Sequence, residues 1–392
     1  MHNYSRRLPW SVPHNAFSQL IAAKRASGDP FLDLTNSNPT EVLSDYPHFA
    51  IAKSLGSLVD LRYQPGPFGS MNARETIAQY YEQCGIAVAP ERIALTASTS
   101  EAYSLLFKVF CDPGDEILVP APSYPLFEYL AALEAVRTVT YRLAYDGAWF
   151  VDLDHLRSQI TARTRGLVVV NPNNPTGSYL KREEANAIVQ LALEYELPII
   201  CDEVFMDYSL NHTAERVRTL INFDSVLSFS LNGLSKTAGM PQLKLGWIVV
   251  NGPVMERRSA ANRLEIVLDT YLSVGTPVQQ ALPELLATGQ TIQTRLQQRI
   301  VANLASGTAV LRDASGHLLH TEGGWSAIIQ MPLTLSEEEW ITALLEDYST
   351  VVQPGYFFDL PSGTHIVLSL ITPENDFNAG LERIRHLLNT RA

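Results

Sequence analysis

Leu167-Val168-Val169-Val170 runs directly into Asn171-Pro172-Asn173-Asn174-Pro175-Thr176-Gly177. Branched apolar residues favour extended backbone, whereas asparagine, proline and glycine favour turns. The stretch therefore reads as a short strand that stops at a polar loop. It is apolar at every position rather than at alternate ones, the pattern of a strand buried on both faces of a parallel sheet. The same pattern recurs outward from it. Pro198-Ile199-Ile200-Cys201 leads into Asp202-Glu203, and residues 226–230 lead towards Gly233-Leu234-Ser235-Lys236. Upstream, Asp112-Pro113-Gly114-Asp115 turns the chain into Ile117-Leu118-Val119; downstream, residues 248–250 form a further apolar run.

Helical patterns fill the intervals. Residues 72–84 place Ile77, Tyr80, Tyr81 and Cys84 at i, i+3, i+4 and i+7, with Asn72 as the expected cap and Gly85 as the stop. Residues 100–110 and 181–195 are the next helices. Alternation of short buried strands with helices predicts an α/β fold, its mainly parallel sheet lying between helices. After about residue 280 the texture changes to a long helix through 290–306, a strand at 325–331, a helix at 337–347 and a strand at 365–370. That predicts a smaller α+β domain. The expected organisation is an N-terminal arm, 1–48, with one helix at 16–26 and packed on the small domain; a large domain, 49–280; and a small C-terminal domain, 281–392.

At 392 residues there is ample chain for such a core. Lys and Arg number 29 against 41 Asp and Glu, a net charge of −12, and no basic run forms a nucleic-acid footprint. With 46% hydrophobic and 18% charged residues the chain should be globular and soluble. Cys84, Cys111 and Cys201 form no C-x-x-C pair, so neither a disulfide framework nor a zinc knuckle is expected. No apolar stretch follows Arg6 and Arg7 as in a signal peptide, and no run approaches the ~20 residues of a membrane span. A cytoplasmic location is the expectation.

Ligands of open α/β sheets bind beyond the carboxyl ends of the strands. Three such ends here carry an amide (the Asn171 to Gly177 loop), a carboxylate (Asp202) and an amine (Lys236). Singly, each has an ordinary reading: a rigid double turn, a helix cap, a solvated charge. Together they fit pyridoxal 5'-phosphate, which forms a Schiff base with a lysine, needs a carboxylate at its ring nitrogen and needs hydrogen bonds to its ring oxygen. Ser98, Thr99 and Ser100, at a helix start, suit its phosphate, though they read equally well as a Ser/Thr cap. Other motifs are poorer. No G-x-G-x-x-G follows a strand and no G-x-x-x-x-G-K-[ST] occurs; Ser178-Tyr179-Leu180-Lys181 lacks the companion motifs of an acyl-serine site; His317 and His320 lack further metal ligands.

From Tyr63-Gln64-Pro65-Gly66-Pro67-Phe68-Gly69, through Asn-Asn-Pro-Thr-Gly and Ser-Lys, to Gln353-Pro354-Gly355-Tyr356-Phe357-Phe358, the chain resembles the class I/II aminotransferases of the fold type I pyridoxal phosphate enzymes. The resemblance implies that Lys236 is the Schiff-base lysine and proton shuttle, that Asp202 pairs with the pyridinium nitrogen, and that Asn174 bonds the ring oxygen. It implies that Tyr124 stacks on the cofactor, and that Ser98, Thr99, Ser100, Ser235 and Lys244 surround the phosphate. It also implies that Tyr63 reaches the phosphate of a neighbouring subunit in a homodimer with shared sites, acting on amino acids and 2-oxo acids.

Departures accompany it. Phe205 stands where the family usually has a tyrosine bonded to the ring oxygen, Lys244 where an arginine forks onto phosphate, and Gly233 where serine is common. Val367 stands where an arginine usually grips the substrate carboxylate. His365, two residues away and on the same face of a strand, reads first as an ordinary surface or core histidine and only second as a replacement. Trp325 and Tyr271 hint at an apolar pocket. Alternatives to transamination are β-elimination or decarboxylation on the same scaffold, or a catalytically retired cofactor-binding module.

Overall fold

The computed structural model describes residues 2–10, 16–57, 60, 62–210, 213–361 and 363–391. Residues 1 and 11–15 of the expected arm lie outside this set. In chain order the strands are β1 (Leu32–Asp33), β2 (Ile93–Thr96), β3 (Glu116–Ala121), β4 (Arg137–Tyr145), β5 (Trp149–Val151), β6 (Thr164–Val170), β7 (Ile199–Asp202), β8 (Ser228–Gly233), β9 (Gly246–Asn251), β10 (His317–Leu318), β11 (Ser326–Met331), β12 (Thr350–Val351), β13 (Gln353–Pro354) and β14 (Thr364–Ser369). Eight of them form one sheet in the order β2-β9-β8-β7-β6-β3-β4-β5.

From β8 across to β4 the neighbours are parallel, while β2/β9, β8/β9 and β4/β5 are antiparallel. The sheet is thus mixed at its edges and parallel through its middle. Residues 146–148 alone join β4 to β5, too few for the crossover that a parallel pair requires. In the middle, alternate side chains go to opposite faces. Leu118, Leu167, Val169 and Ile199 pack with the helix Arg182–Glu194. Ile117, Val119, Val168 and Ile200 pack with the helices Thr99–Phe110 and Val254–Tyr271. Burial on both faces is the physical reason the runs 117–119, 167–170 and 198–201 carry no polar residue; β8 is the exception, with buried Ser228, Ser230 and Asn232.

Two sequence expectations shift. The helix Met71–Gln83 is capped by Ser70, whose hydroxyl accepts the Ala73 N–H, and not by Asn72, which lies inside the first turn. The long C-terminal helix is Leu282–Val310, well beyond 290–306; its first turns bury Leu282, Leu285 and Ile292 at helical spacing, with Pro283 in the first turn and Gly289 between them. Beyond it lies a second sheet, β10-β11-β14-β13. The helix Glu337–Glu346, with a capping box between Ser336 and Glu339, and the helix Glu374–Arg391 accompany that sheet. The N-terminal segment joins this part of the molecule: β1 pairs in parallel with β12, and the Ser369 N–H donates to Leu34 O. Among the described residues no helix is long and apolar enough to cross a membrane.

Candidate active site

Register brings the three strand ends together. Val170 lies opposite Asp202 and Asp202 opposite Leu231, so the Asn-Pro loop, the carboxylate and the strand leading to Lys236 share one edge of the sheet. Gly233 closes β8 and the short helix Leu234–Thr237 begins at once, which sets Lys236 just past the strand. A side chain at Gly233 would come within 2.9 Å of Gly246 Cα, and one at Gly246 within 3.1 Å of Ser98 C. The two glycines let β8, β9 and the start of the helix Thr99–Phe110 close on one another.

Asp202 is buried, and both carboxylate oxygens are occupied: Oδ1 accepts the Val204 N–H at 3.2 Å and Oδ2 the Tyr103 hydroxyl at 3.0 Å. Loss of hydration raises its pKa to about 6; those two donors and the Lys236 charge pull the other way. Lys236 is pushed down to about 8, chiefly by desolvation, with Asp202 opposing. An amine so placed holds an appreciable neutral fraction near pH 8, the form that attacks a carbonyl.

Of the three loop asparagines, two are spent on structural partners in and around the loop. Asn171 donates to Val217 O and accepts the Leu180 N–H; Asn173 accepts from Thr176 and donates to Pro122 O. Asn174 differs. Its Oδ1 accepts the Ser326 hydroxyl at 3.1 Å, and its amide N–H2 has no partner among the described residues. Tyr124 is partly exposed and stands edge-on to Phe127, which stands edge-on to Tyr103; Asp202 adds to the rise in the Tyr124 pKa that burial causes.

Ser98 is the N-cap of the helix Thr99–Phe110, its hydroxyl accepting the Glu101 N–H at 3.1 Å. The cap and anion-site readings are therefore not exclusive, since the N–H groups of Thr99 and Ser100 in the first turn have no intrahelical acceptor. Lys244 is exposed in a left-handed conformation (φ +50°), two residues before the Gly246 that abuts Ser98. Ser235 precedes Lys236 and is partly buried. Tyr63 stands apart, 78% exposed beside Pro65, Leu272 and Gln279.

The sequence also raised His365, Val367, Tyr271 and Trp325. His365 is buried, its N–H donating to the Glu337 carboxylate at 2.9 Å. It pairs with Gln330, at the opposite end of β14 from Ser369, which faces the Ser326 that bonds Asn174. Burial lowers its pKa, which works against a cation there. Val367 is sealed in an apolar cluster with Ile328 and Phe358. Tyr271 is exposed, 5.7 Å from Lys108 Nζ, while Trp325 lies against Lys236, ring centroid 4.5 Å from Nζ. Phe205 is 5.5 Å from the same amine. Lys181, the end of the S-x-x-K pattern, is paired with Glu322. No cluster of metal-ligating side chains occurs among the described residues. Tyr103 was invisible to sequence reasoning, because a tyrosine on the apolar stripe of a helix reads as core.

An eight-stranded α/β sheet with amine, carboxylate and amide on its carboxyl edge defines a fold type I architecture. Residues 33–384 match the family model for aminotransferase class I and II, and the chain belongs to that family. It is 33% identical over 276 residues to the glutamate-pyruvate aminotransferase of Escherichia coli K12, covering 70% of this chain and 68% of the relative. It is 26% identical over 389 residues to the alanine aminotransferase of Mycobacterium bovis, covering 94% and 88%. A solved alanine aminotransferase from Pyrococcus furiosus superposes with a TM-score of 0.88 over 99% of this chain and 100% of its own, at 22% identity. The protein is an aminotransferase.

Proposed function

We propose that this enzyme binds pyridoxal 5'-phosphate at Lys236 and moves an amino group between an amino acid and a 2-oxo acid. The observation that carries the reading is the buried Asp202 carboxylate facing an amine whose pKa lies near 8, with the Asn174 amide on the same sheet edge. This donor set fits the cofactor in charge and hydrogen bonding. When bound, the cofactor supplies an aldehyde for a lysine amine and a ring that withdraws electrons from the substrate Cα.

Lys236 Nζ would hold the cofactor's aldehyde carbon, and as a free amine it would carry the proton on and off the substrate Cα. Asp202 keeps the ring nitrogen protonated, and Tyr103 and Val204 N–H fix the carboxylate in place. Asn174 donates to the ring oxygen; Phe205 cannot. Ser98, Thr99, Ser100, Ser235 and Lys244 take the phosphate, and Tyr124 takes a face of the ring. Lysine at 244 keeps the charge of an arginine without its fork.

The exposed Tyr63 suits a site completed by a second copy, so the working form is a homodimer. Its location is the cytoplasm, in keeping with three free thiols, and its division is an arm (1–48), a large domain (49–280) and a small domain (281–392). Borohydride reduction followed by peptide mass spectrometry tests the central point. The label is expected on Lys236, and Lys236→Ala should lose both label and at least ~100-fold in rate; a label on another lysine overturns the assignment.

A further inference from the structure

Glu322 carries a carboxylate that the chemistry above does not use, although it is almost wholly buried. Its Oε1 accepts Arg216 Nε at 2.9 Å, and its Oε2 accepts Lys181 Nζ at 2.7 Å and the Tyr179 N–H at 2.9 Å. The side chains of Glu322 and Arg216 are only 7% and 8% exposed. Lys181 and Tyr179 enter the helix Arg182–Glu194, and Arg216 lies over the Tyr179 ring. All three partners thus belong to the part of the chain that builds the eight-stranded sheet, whereas Glu322 belongs to the segment leading into β11.

Backbone contacts extend the attachment along that segment. The Glu322 N–H donates to Gly177 O, the Leu210 N–H to Glu322 O, and the Gly324 N–H to Tyr208 O. Gly323 bridges Ser209. The fit is tight: a side chain at Gly323 would fall 2.8 Å from Tyr208 O and from Tyr179 Cε2. The next residue is Trp325. Its ring meets Tyr208 edge-on at 5.1 Å and Phe205 at 5.4 Å, and lies 4.5 Å from Lys236 Nζ. Tyr208 in turn donates to Lys236 O at 2.8 Å.

We infer that Glu322 is a positioning residue for Lys236: with Lys181 and Arg216 it pins the Thr321 to Gly324 segment onto the large-sheet body and so holds the Trp325 indole across the lysine amine. A buried carboxylate with two cations and a backbone donor is a rigid anchor, because loss of any partner strands a charge. An indole held over a desolvated ammonium both shields and attracts it. Glu322 therefore acts on the amine through Trp325 and touches neither the amine nor anything bound to it. The inference rests on Lys236 being the reactive lysine.

The test is the rate at which a small amine-reactive acylating reagent labels Lys236 in the full-length, cofactor-stripped protein, read by peptide mass spectrometry with exposed Lys53 as internal reference. Trp325→Leu should raise labelling of Lys236 roughly five-fold, the effect of losing one desolvated cation–aromatic contact. Glu322→Gln keeps the shape but not the charge, and should raise it by a similar factor with Lys53 unchanged. The double variant should match Trp325→Leu alone, since the two act in series. Folded Glu322→Gln with Lys236 labelled at the wild-type rate overturns the inference, as does a double variant in which the effects multiply. Should Glu322→Gln not fold, Lys181→Gln, at the more exposed end of the triad, decides by the same two results. Borohydride trapping on the untreated holoenzyme separates the two levels: a label away from Lys236 refutes the functional reading, while the labelling rates still report whether the clamp shields Lys236.

Discussion

Phe205 lies 5.5 Å from Lys236 Nζ and Tyr103 donates to Asp202; the resemblance marked the first, whereas nothing in the sequence marked the second. On the proposed function, Phe205 would present a hydrocarbon edge where a hydroxyl would stabilise the negative ring oxygen. A phenolate without that donor is more basic and holds more tightly the proton it shares with Lys236 Nζ. Phe205→Tyr should therefore lower, by about one pH unit, the midpoint at which the visible band of the loaded enzyme titrates; a hydrogen bond to a charged oxygen is worth ~1.5 kcal/mol or more. An unchanged or higher midpoint in a spectrophotometric titration would contradict this. Lys236, Asp202 and Asn174 were legible because each ends an apolar strand with a polar group. Of the three asparagines the resemblance pointed to Asn174, and the hydrogen bonding is consistent with that choice: Asn171 and Asn173 are consumed largely by backbone partners, and only Asn174 keeps its amide N–H2 free among the described residues. His365 sits as the core histidine that the sequence favoured, buried at the far end of β14 from Ser369, where loss of hydration lowers its pKa.

The elements that place the site are the strand ends and the segment docked over them. Strand identity was readable from uninterrupted branched runs such as 167–170, whereas the antiparallel edges were not, since register and partner choice depend on contacts between distant residues. The docked segment was not legible at all: Thr321-Glu322-Gly323-Gly324 reads as a loop, and only the fold shows Gly177 beneath it. Gly177 has φ +70°, and a side chain there would fall 1.9 Å from Thr321 Oγ1 and 2.4 Å from Gly323 O. Gly177→Ala should accordingly destabilise the protein by about 3 kcal/mol, combining left-handed strain with overpacking. Denaturant unfolding checks it, and a loss below ~0.5 kcal/mol would show that the segment yields.

Across the whole molecule, buried acids beside the site set a pH dependence of stability. Glu203 is fully buried, bonded to the Thr219 hydroxyl and the Leu220 N–H, and desolvation raises its pKa to about 7. Its unfolded value is near 4.5, so between about pH 4.5 and 7 the folded chain binds the proton and the unfolded chain does not. Stability from this group is then present at low pH and is lost as pH rises through that window. Glu203→Gln, whose amide oxygen can accept the Leu220 N–H while its N–H2 donates to the Thr219 hydroxyl, should flatten the loss between pH 5 and pH 8 by up to roughly 3 kcal/mol; equal slopes in urea unfolding would refute it. The net charge of −12 is no guide to the ligand, because the proposed cofactor is an anion held by local donors. Transamination at Lys236 is the central claim, and the visible spectrum of the purified holoenzyme tests it most directly. An amino acid donor should bleach the cofactor band and a 2-oxo acid should restore it in full; a band that bleaches and does not return with any 2-oxo acid, or that survives unchanged in Lys236→Ala, would contradict the account.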